Sequence, residues 1–450
     1  MSLLTPMMRS SPLTAWFSDA QRVQGMLDFE AALIRAEAAC GIVPQAAVAP
    51  VVNACRHSLI DFSALGEAAA DAGNLAIPLV RQLTASVKAA DPQAARYVHW
   101  GATSQDAIDS GLVLQLRGAL AETDSLLQRL MAEFARQAQR HQHTVMPGRT
   151  WMQHALPVTF GLKLAGTLDA LLRWQQRLRE MRARVLVLQF GGAAGTLDSL
   201  KGQGPEVAGR LATELGLALP DTPWHSQRDR LLEVGAWYAG VCGTLGKFAN
   251  DFSLLMQTEV VEVAEPVAEG RGGSSTMPHK RNPVGCAAIL TAAQRTPGLV
   301  ACLYAGQIQQ HERALGGWQA EWETLPELIT LVGGALEQSV ELVRDMQVFP
   351  QKMRADLDIT HGLIMAEAVT LALAEFIGKA DAHHRVEALC RQAIDQQSPL
   401  LTLLESDPQV SQHLSVARLT QLLDPITATG SAEIFVRQVV ARYKEQHDEP

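Results

Sequence analysis

The 450-residue chain lacks the features that define several protein classes. Its six cysteines lie far apart and form no Cys-x-x-Cys pair, as a disulfide framework or a zinc site would require. No continuous apolar segment at the N-terminus resembles a signal peptide, and no other run is expected to span a bilayer. The net charge of -9 argues against nonspecific binding to nucleic acid or to an anionic membrane. These absences predict a cytoplasmic protein with reduced thiols and no structural metal.

Long proline-free stretches dominate the rest of the chain, which is 47% apolar and 19% charged. In 157–205 and 223–266 apolar residues recur every three or four positions, which is typical of helices. The second stretch would form an apolar stripe about 60 Å long. Similar patterns predict helices over about 110–141 and 326–346, and no alternating strand pattern competes with them. The predicted fold class is therefore all-α.

The chain is expected to divide into three helical domains, 1–110, 111–350 and 351–450, with the long helices forming a bundle in the second. The apolar surface of these helices exceeds what one chain's bundle is expected to cover. Burial against identical subunits is therefore predicted, with a monomeric bundle as the alternative.

The most specific motif is the string at 273–283, Gly-Ser-Ser-Thr-Met-Pro-His-Lys-Arg-Asn-Pro. Its glycine relaxes the backbone, its prolines limit where a helix can run, and Lys280 and Asn282 supply hydrogen-bond donors. Because the chain is acidic overall, an anionic substrate must be attracted by a local cationic group such as this one. The pattern predicts a loop that binds a carboxylate-bearing substrate. A helix-capping loop with solvated basic residues is the alternative.

This string resembles the signature loop of the fumarase/aspartase superfamily. The resemblance covers essentially the whole chain and implies central helices that assemble into a twenty-helix core in a tetramer. It also implies that Ser274 transfers a carbon-bound proton while Lys280 and Asn282 hold substrate carboxylates. Ser274 is favoured over Ser275 because it is the first serine of the motif, six residues before the lysine.

The stretch 99–106, His-Trp-Gly-Ala-Thr-Ser-Gln-Asp, precedes a predicted long helix. Its hydroxyls and free amides would lie where a helix dipole attracts anions. Simple N-capping by Thr103, Ser104 or Asp106 is the alternative. The string is similar to a conserved block of adenylosuccinate lyases, which implies that His99, Thr103 and Ser104 line the substrate pocket.

The stretch 148–157, Gly-Arg-Thr-Trp-Met-Gln-His-Ala-Leu-Pro, is predicted to open the next long helix. It resembles a second block of these lyases, except that Trp151 stands where they carry a histidine that protonates the leaving group. An indole cannot transfer that proton. His154 is the alternative donor, with capping or packing equally open.

Two further stretches are also similar to segments of this family. His-Ser-Gln-Arg-Asp-Arg at 225–230 precedes the helix predicted to be the longest, and Gln227 is a candidate donor to the substrate. Ion pairing within the bundle is the favoured role for Arg228 and Arg230. The glycine turn at 191–196 is not a dinucleotide fingerprint, because no strand is predicted before it.

The stretch 311–322 keeps Arg313 but carries Trp322 where adenylosuccinate lyases have a second arginine. Trp318 and Trp322 lie one helical turn apart and are predicted to share a face, with core packing as the alternative. Asn74 stands in a region where those lyases carry a histidine pair. These departures imply that nucleotide-lyase chemistry has been lost.

The departures have one physical explanation if the leaving group needs no proton. A carboxylate, whose conjugate acid has a pKa of about 4, leaves unassisted at neutral pH, whereas an amine or hydroxide does not. The strings around Trp151 and Trp322 resemble the lactonising branch of the superfamily. The resemblance implies interconversion of 3-carboxy-cis,cis-muconate and 4-carboxymuconolactone, with no metal or organic cofactor.

The candidate site residues all lie in these matched strings. Each of them has a polar or aromatic side chain or belongs to the signature loop. The candidate catalytic residues are Ser274, Lys280 and Asn282, and the candidate substrate-binding residues are His99, Thr103, Ser104, Arg149, Trp151, Gln153, Gln227, Ser275, Met277, Arg313 and Trp322. The expected partners are a small tricarboxylate and identical subunits, without nucleic acid or membrane. Two alternatives stay open: a carbon-nitrogen lyase that releases fumarate, and a non-catalytic structural oligomer of the same fold.

Overall fold

The computed structural model describes residues 3–266, 272–273, 277 and 279–447. Within these ranges the chain forms eighteen α-helices and four short strands, so the all-α prediction is confirmed. The helices are α1 (Leu13–Trp16), α2 (Asp19–Ala39), α3 (Val48–Ala54), α4 (Phe62–Ala72), α5 (Ala76–Ala90), α6 (Ser104–Arg140), α7 (Phe160–Val185), α8 (Gly204–Leu215), α9 (Asp229–Leu255), α10 (Val284–Ala305), α11 (Gly317–Asp345), α12 (Pro350–Asp356), α13 (Ala366–Ile377), α14 (Lys379–Gln396), α15 (Leu400–Ser406), α16 (Pro408–Ser411), α17 (Val416–Leu422) and α18 (Ala432–His447). The strands are β1 (Val145–Thr150), β2 (Gln153–Thr159), β3 (Val263–Ala264) and β4 (Gln347–Val348).

The predicted long helices α6, α7, α9 and α11 are present, with different limits. Helix α9 has 27 residues, which gives about 40 Å instead of the predicted 60 Å. The longest described helix is α6, with 37 residues. Helix α11 starts at Gly317, so Pro326, its predicted start, lies in its interior.

The prediction that a helix opens within 148–157 is wrong, as is the expectation that no strand pattern competes. Strands β1 and β2 form an antiparallel hairpin in which Pro147 lies opposite Pro157. Trp151 and Met152 form its two-residue tip with φ of 53° and 65°. A two-residue hairpin turn of this kind requires left-handed backbone, which matches strand twist. The prolines remove helical hydrogen bonds, so helix α7 begins only at Phe160.

The chain divides into two compact units, and the division falls inside each of the five long helices α6, α7, α9, α10 and α11. Unit 1 consists of Met1–Leu127, Arg173–Gly246 and Ala288–Gln338. Unit 2 consists of Gln128–Leu172, Lys247–Ala287 and Ser339–Pro450.

In unit 1, helices α2, α3 and α5 bury a shared core that includes Leu27, Val51 and Leu83. Helices α2 and α6 approach each other backbone to backbone. A Cβ atom on Gly25 would lie 2.8 Å from the Gly111 carbonyl oxygen, closer than side-chain carbon contacts normally are. Glycine at these two positions therefore sets how closely α2 packs on α6.

In unit 2, helices α13 to α17 bury a separate cluster. Leu373, Val386, Leu400, Val410 and Leu419 are all 2% exposed or less. Apolar side chains at helical spacing thus form a core of their own near the C-terminus.

Helix α10 corrects the expectation that no run is suited to cross a bilayer. Among the described residues, α10 is long and apolar enough to span a bilayer. Its mean hydropathy is 1.3 over an 18-residue window, and 39% of that window is buried. The apolar core helix of a protein that never meets a membrane passes the same test.

Candidate active site

The N-terminus of α6 carries the stretch that was predicted to bind a carboxylate. Ser104 is the first residue of the helix, and both Thr103 and Ser104 are half-buried. Thr103 N donates to Asp106 Oδ2 at 3.0 Å, and Asp106 N donates to Thr103 O at 3.0 Å. This reciprocal pair resembles a capping box and satisfies amides of the first turn. The Thr103 and Ser104 hydroxyls therefore belong to residues at the positive end of the helix dipole.

Asp106 also binds two other stretches that the sequence singled out. Its fully buried carboxylate accepts hydrogen bonds from Gly191 N at 3.0 Å and Gly192 N at 2.9 Å. The same carboxylate pairs with His225 Nε2 at 2.6 Å. Asp106 thus joins the α6 terminus, the glycine turn and the segment before α9 into one cluster.

His99 lies five residues before Ser104, in a strained turn. Its φ is 59°, a left-handed conformation that is uncommon outside glycine. Nδ1 of His99 donates to Glu30 Oε1 on α2 at 2.6 Å. Burial alone lowers the pKa of His99, but the Glu30 carboxylate and its hydrogen bond, with Asp106, raise it above its ordinary value.

Arg313 lies beside the same helix terminus. Its Nε donates to Gln105 Oε1 at 3.1 Å, and its Nη2 donates to Ala193 O at 3.1 Å. Gln105 is itself buried and donates to Asp109 Oδ2 at 3.0 Å. The exposed guanidinium is thus attached to the glycine turn through polar contacts, with its charge near the start of α6.

A buried ionic network lies under this cluster and confirms the ion pairing predicted for Arg228. The Arg228 guanidinium donates to Asp109 Oδ2 and to Glu321 Oε2, each at 2.6 Å. Trp318 Nε1 donates to Asp109 Oδ1 at 3.1 Å. Arg230 differs, because it donates to the backbone oxygen of Arg184 at 3.2 Å.

A cavity of about 590 Å³ in unit 1 brings Trp322 and Asn74 together. Its wall is mostly apolar and includes Phe62 and Ile108. Trp322 packs edge-on against Trp318 with ring centroids 4.9 Å apart, so the predicted shared aromatic face is confirmed.

In unit 2 the hairpin tip points a large aromatic side chain away from its own chain. Trp151 is 96% exposed and Met152 is 75% exposed. Arg149, behind the tip, instead forms a two-pronged pair with Glu262, with Nη1 to Oε2 at 2.9 Å and Nη2 to Oε1 at 2.8 Å. Burial raises the pKa of Glu262, and the Arg149 contacts oppose that effect.

Within the signature loop, the structure describes Gly273, Met277 and residues 279–283. Ser274 and Ser275 lie outside the described residues. Asn282 N donates to Gly272 O at 2.8 Å, and Gly273 forms a β-bridge with Arg281, so the two ends of the loop are joined. Lys280 is exposed at this base and Asn282 is half-buried.

The loop continues directly into α10, whose first amides are already bound. Gly285 N and Cys286 N donate to the two carboxylate oxygens of Glu265 at 3.0 Å and 2.8 Å. A buried acid at a helix N-terminus is stabilised by the helix dipole. The loop base is therefore attached to a fixed helix end.

Like Trp151, Lys280 and Arg313, the predicted residues Gln153, Gln227 and Met277 have exposed side chains. His154 lines a second cavity in unit 2, of about 360 Å³, together with Arg149, Lys163 and Asp356. Burial, followed by the Arg149 charge, lowers the pKa of His154, and its Nδ1 has no hydrogen-bond partner among the described residues.

The structure gathers the predicted residues into two sets. His99, Thr103, Ser104 and Arg313 surround the start of α6 in unit 1, whereas the hairpin and the loop base belong to unit 2. Trp322 lies on the wall of the unit 1 cavity. One group in the described ranges has metal-ligand spacing: the exposed His383, His384 and Glu387, whose ligand atoms lie within 4.8 Å of one another.

Sequence reasoning missed Glu30, the partner of His99. Glu30 and Glu37 occupy the buried stripe of α2, in step with Val23, Leu27 and Ile34. An acid on an apolar stripe signals a paired or protonated carboxyl, because an isolated buried charge is costly. That signal is present in the sequence.

Comparison with known proteins identifies the family of the chain. The profile of a family described as "Lyase" matches residues 7–298, which is more than half of the chain. The chain belongs to the fumarase/aspartase lyase family. A second profile, described as the adenylosuccinate lyase C-terminus, matches residues 362–439. The resemblance stated from the signature loop is therefore confirmed.

Three members of the lyase family illustrate the likeness. The chain is 57% identical over 98% of its length, and 96% of the relative's, to a 3-carboxy-cis,cis-muconate cycloisomerase of Pseudomonas aeruginosa. It is 41% identical to a nitrosuccinate lyase of Streptomyces davaonensis, over 97% of the chain and 94% of that protein. The crystal structure of the 3-carboxy-cis,cis-muconate lactonizing enzyme from Pseudomonas putida superposes with a TM-score of 0.94 at 50% identity, covering 98% of this chain and 99% of that one.

Proposed function

We propose that the chain interconverts 3-carboxy-cis,cis-muconate and 4-carboxymuconolactone. The observation that carries this function is the 57% identity, over nearly the whole chain, to a cycloisomerase named for that substrate. Trp151 and Trp322 stand where nucleotide lyases have a proton donor and an arginine, which favours this reaction over fumarate release. The reaction belongs to the β-ketoadipate route of aromatic catabolism, and we propose that the chain serves that route.

The reaction forms a carbon-oxygen bond within one molecule. A substrate carboxylate adds to the diene, negative charge accumulates on the carboxylate conjugated with it, and a proton is delivered to carbon. In reverse, the departing group is a carboxylate, which needs no proton at neutral pH. An aromatic residue at position 151 is compatible with this chemistry because no acid is required there.

The roles of the side chains follow from their charge and position. Ser274 transfers the carbon-bound proton, and Lys280 with Asn282 stabilises the charge that develops on the acceptor carboxylate. Thr103 and Ser104 add the positive end of α6 for the same purpose. Ser104 opens α6 and Thr103 directly precedes it, so these two donors are held in place before the substrate arrives and need little reorganisation during reaction.

The remaining substrate contacts serve orientation. Arg313 and Gln153 contact the other carboxylates, and Trp151 and Trp322 each supply an apolar surface for the diene. Arg149 contributes by holding the hairpin through Glu262, since both prongs of its guanidinium are engaged there.

We also propose a homo-oligomer, with a tetramer expected from the family. The support is the hairpin tip, whose Trp151 is left 96% exposed although burying an indole against a second copy would be favourable. Light scattering after size exclusion tests this. A mass of one 48.7 kDa chain would reject the oligomer.

We place the enzyme in the cytoplasm. The support is its cysteine chemistry, since Cys40, Cys55, Cys242, Cys302 and Cys390 are free thiols in the structure. Free thiols persist in a reducing compartment. Fractionation of the native cells tests this, and recovery of the protein outside the cytoplasm would reject it.

The experiment for the main proposal uses purified protein, 3-carboxy-cis,cis-muconate and a chelator. Lactonisation breaks the conjugated diene, so ultraviolet absorbance should fall as 4-carboxymuconolactone forms. Unchanged absorbance with folded, oligomeric protein would reject the function. A substrate screen of fumarate-releasing reactions, adenylosuccinate included, would then separate the lyase alternative from the non-catalytic one.

A further inference from the structure

Glu30 is the residue that forms a direct ion pair with the His99 side chain in the described structure. The two groups meet at 2.6 Å, and the Glu30 side chain is 2% exposed. A carboxylate can only accept here, so His99 Nδ1 carries the hydrogen. A charge-assisted bond of this length in a buried setting is stronger than a neutral one. The pair therefore fixes both the orientation of the ring and which nitrogen faces Glu30.

The second ring nitrogen, Nε2, is not engaged in the same way. It has no hydrogen-bond partner in residues 3–266, 272–273, 277 and 279–447. The His99 side chain keeps 17% exposure, so a ligand can reach it. With Nδ1 bound to an acid, a charged ring presents Nε2–H outward as a single directed donor.

The backbone around His99 gives a reason why a strong side-chain bond is needed. His99 has φ of 59°, which costs energy in a residue with a Cβ. The turn continues through Gly101, at φ 74°, into Thr103 and Ser104 at the start of α6. The Glu30 bond offsets the strain and holds His99 next to the anion-attracting end of the helix.

We propose that Glu30 is a positioning residue that keeps His99 charged and directs its Nε2–H toward a substrate carboxylate. The inference rests on the proposed function, because the tricarboxylate supplies that carboxylate. The charged groups that act on His99 are Glu30 from α2 and Asp106 from α6. Asp106 is already shared among the glycine turn, His225 and Thr103, so Glu30 is the partner dedicated to His99.

The test begins with Glu30→Gln, which keeps the shape but removes the charge. Losing an interaction that substrate and transition state share raises KM and spares kcat. We expect KM to rise about tenfold, in the range of one charge-assisted hydrogen bond, with kcat within about threefold of the wild type. Nuclear magnetic resonance of carbon-13-labelled histidine should show the His99 pKa falling, with the signal assigned by its absence in His99→Asn.

A double-mutant comparison separates positioning from general structural support. His99→Asn should raise KM by at least as much as Glu30→Gln, and the double variant should match His99→Asn within about twofold. If the two substitutions acted through different routes, their fold-changes in KM would instead multiply in the double variant.

The matched control is Glu37→Gln, two turns further along the same helix. Glu37 is also buried, but neither of its carboxyl oxygens has a hydrogen-bond partner in the described chain. Its substitution should leave KM and the His99 signal unchanged.

The inference would be overturned by an unchanged His99 pKa in Glu30→Gln, or by fold-changes in KM that multiply in the double variant. Turnover of the substrate by the wild type would still support the proposed function in either case. If the wild type fails to bleach the diene, the function and this role are rejected together. The histidine titration, which needs no substrate, then shows separately whether Glu30 charges His99.

Discussion

Arg228 and Asp109 form an ion pair that is completely withdrawn from water. The Arg228 side chain is 0% exposed and Asp109 1%, with Nη1 and Oδ2 2.6 Å apart. Burial lowers the pKa of Arg228, but the adjacent carboxylates of Asp109 and Glu321 raise it above its usual range. The guanidinium thus remains charged while linking α6, α11 and the start of α9.

Replacing Arg228 by methionine should strongly destabilise the protein. The change leaves Asp109 and Glu321 buried without their counter-ion, and breaking such a pair costs about 3 to 5 kcal/mol. Urea denaturation at fixed protein concentration measures the free energy of unfolding. Arg184→Met is the control, because its pair with Glu233 is solvent-exposed and worth less than about 1 kcal/mol. Equal losses in the two variants would contradict the prediction.

Glu37 should make stability depend on pH. Burial, with a smaller effect from Glu30, raises the pKa of Glu37 from 4.5 to about 9. Between pH 4.5 and pH 9 the folded chain holds a proton on Glu37 that the unfolded chain releases. The contribution of protonated Glu37 to stability is therefore fully present below pH 4.5 and is lost as the pH rises toward 9. The decline is at most about 1.4 kcal/mol per pH unit.

Glu37→Gln removes that titration. Its stability advantage over the wild type should therefore grow between pH 5 and pH 8, as followed by urea denaturation at each pH. A gap that stays constant across this range would show that Glu37 is not protonated in the folded chain.

Ser274→Ala should reduce turnover on the order of a hundredfold or more, because it removes the group that moves the carbon-bound proton. Ser275→Ala is the matched variant one residue away and should cost less. Initial rates of diene bleaching give both values. Near-wild-type turnover by Ser274→Ala would remove it from the mechanism, and the opposite order of effects would transfer the role to Ser275.

Lys280→Met should lower kcat sharply, since it removes a cation that stabilises charge developing in the reaction. Lys280→Arg keeps the charge and should retain more activity than the methionine variant. Steady-state kinetics on the same substrate separates kcat from KM. Unchanged turnover in Lys280→Met would exclude the lysine from the reaction.

The long helices were predictable because their apolar residues repeat every three to four positions and prolines mark their limits. Helix α11 shows where that rule fails, since Pro326 lies in its interior. The hairpin was missed for a different reason. Its turn residues, Trp151 and Met152, are not the glycine and asparagine that usually mark a two-residue turn.

The candidate site was predictable where the chemistry lies in a contiguous string, as at Thr103–Ser104 and in the signature loop. Contacts between residues far apart in sequence were not. Glu30 lies 69 positions before His99, and only the folded chain shows that the two meet. Similarly, nothing in the stretch around Arg149, a predicted substrate ligand, indicates its pair with Glu262, 113 positions away.

The close contact between Gly25 and Gly111 links the packing of α2 on α6 to the position of the Glu30 carboxylate. Glu30 follows Gly25 by little more than one turn of α2, so the glycine contact determines how far the Glu30 carboxylate reaches toward His99. An alanine at either position would push α2 outward by the width of a methyl group. Such a change would move Glu30 relative to His99, so these two glycines set the geometry of that pair from the interior of unit 1.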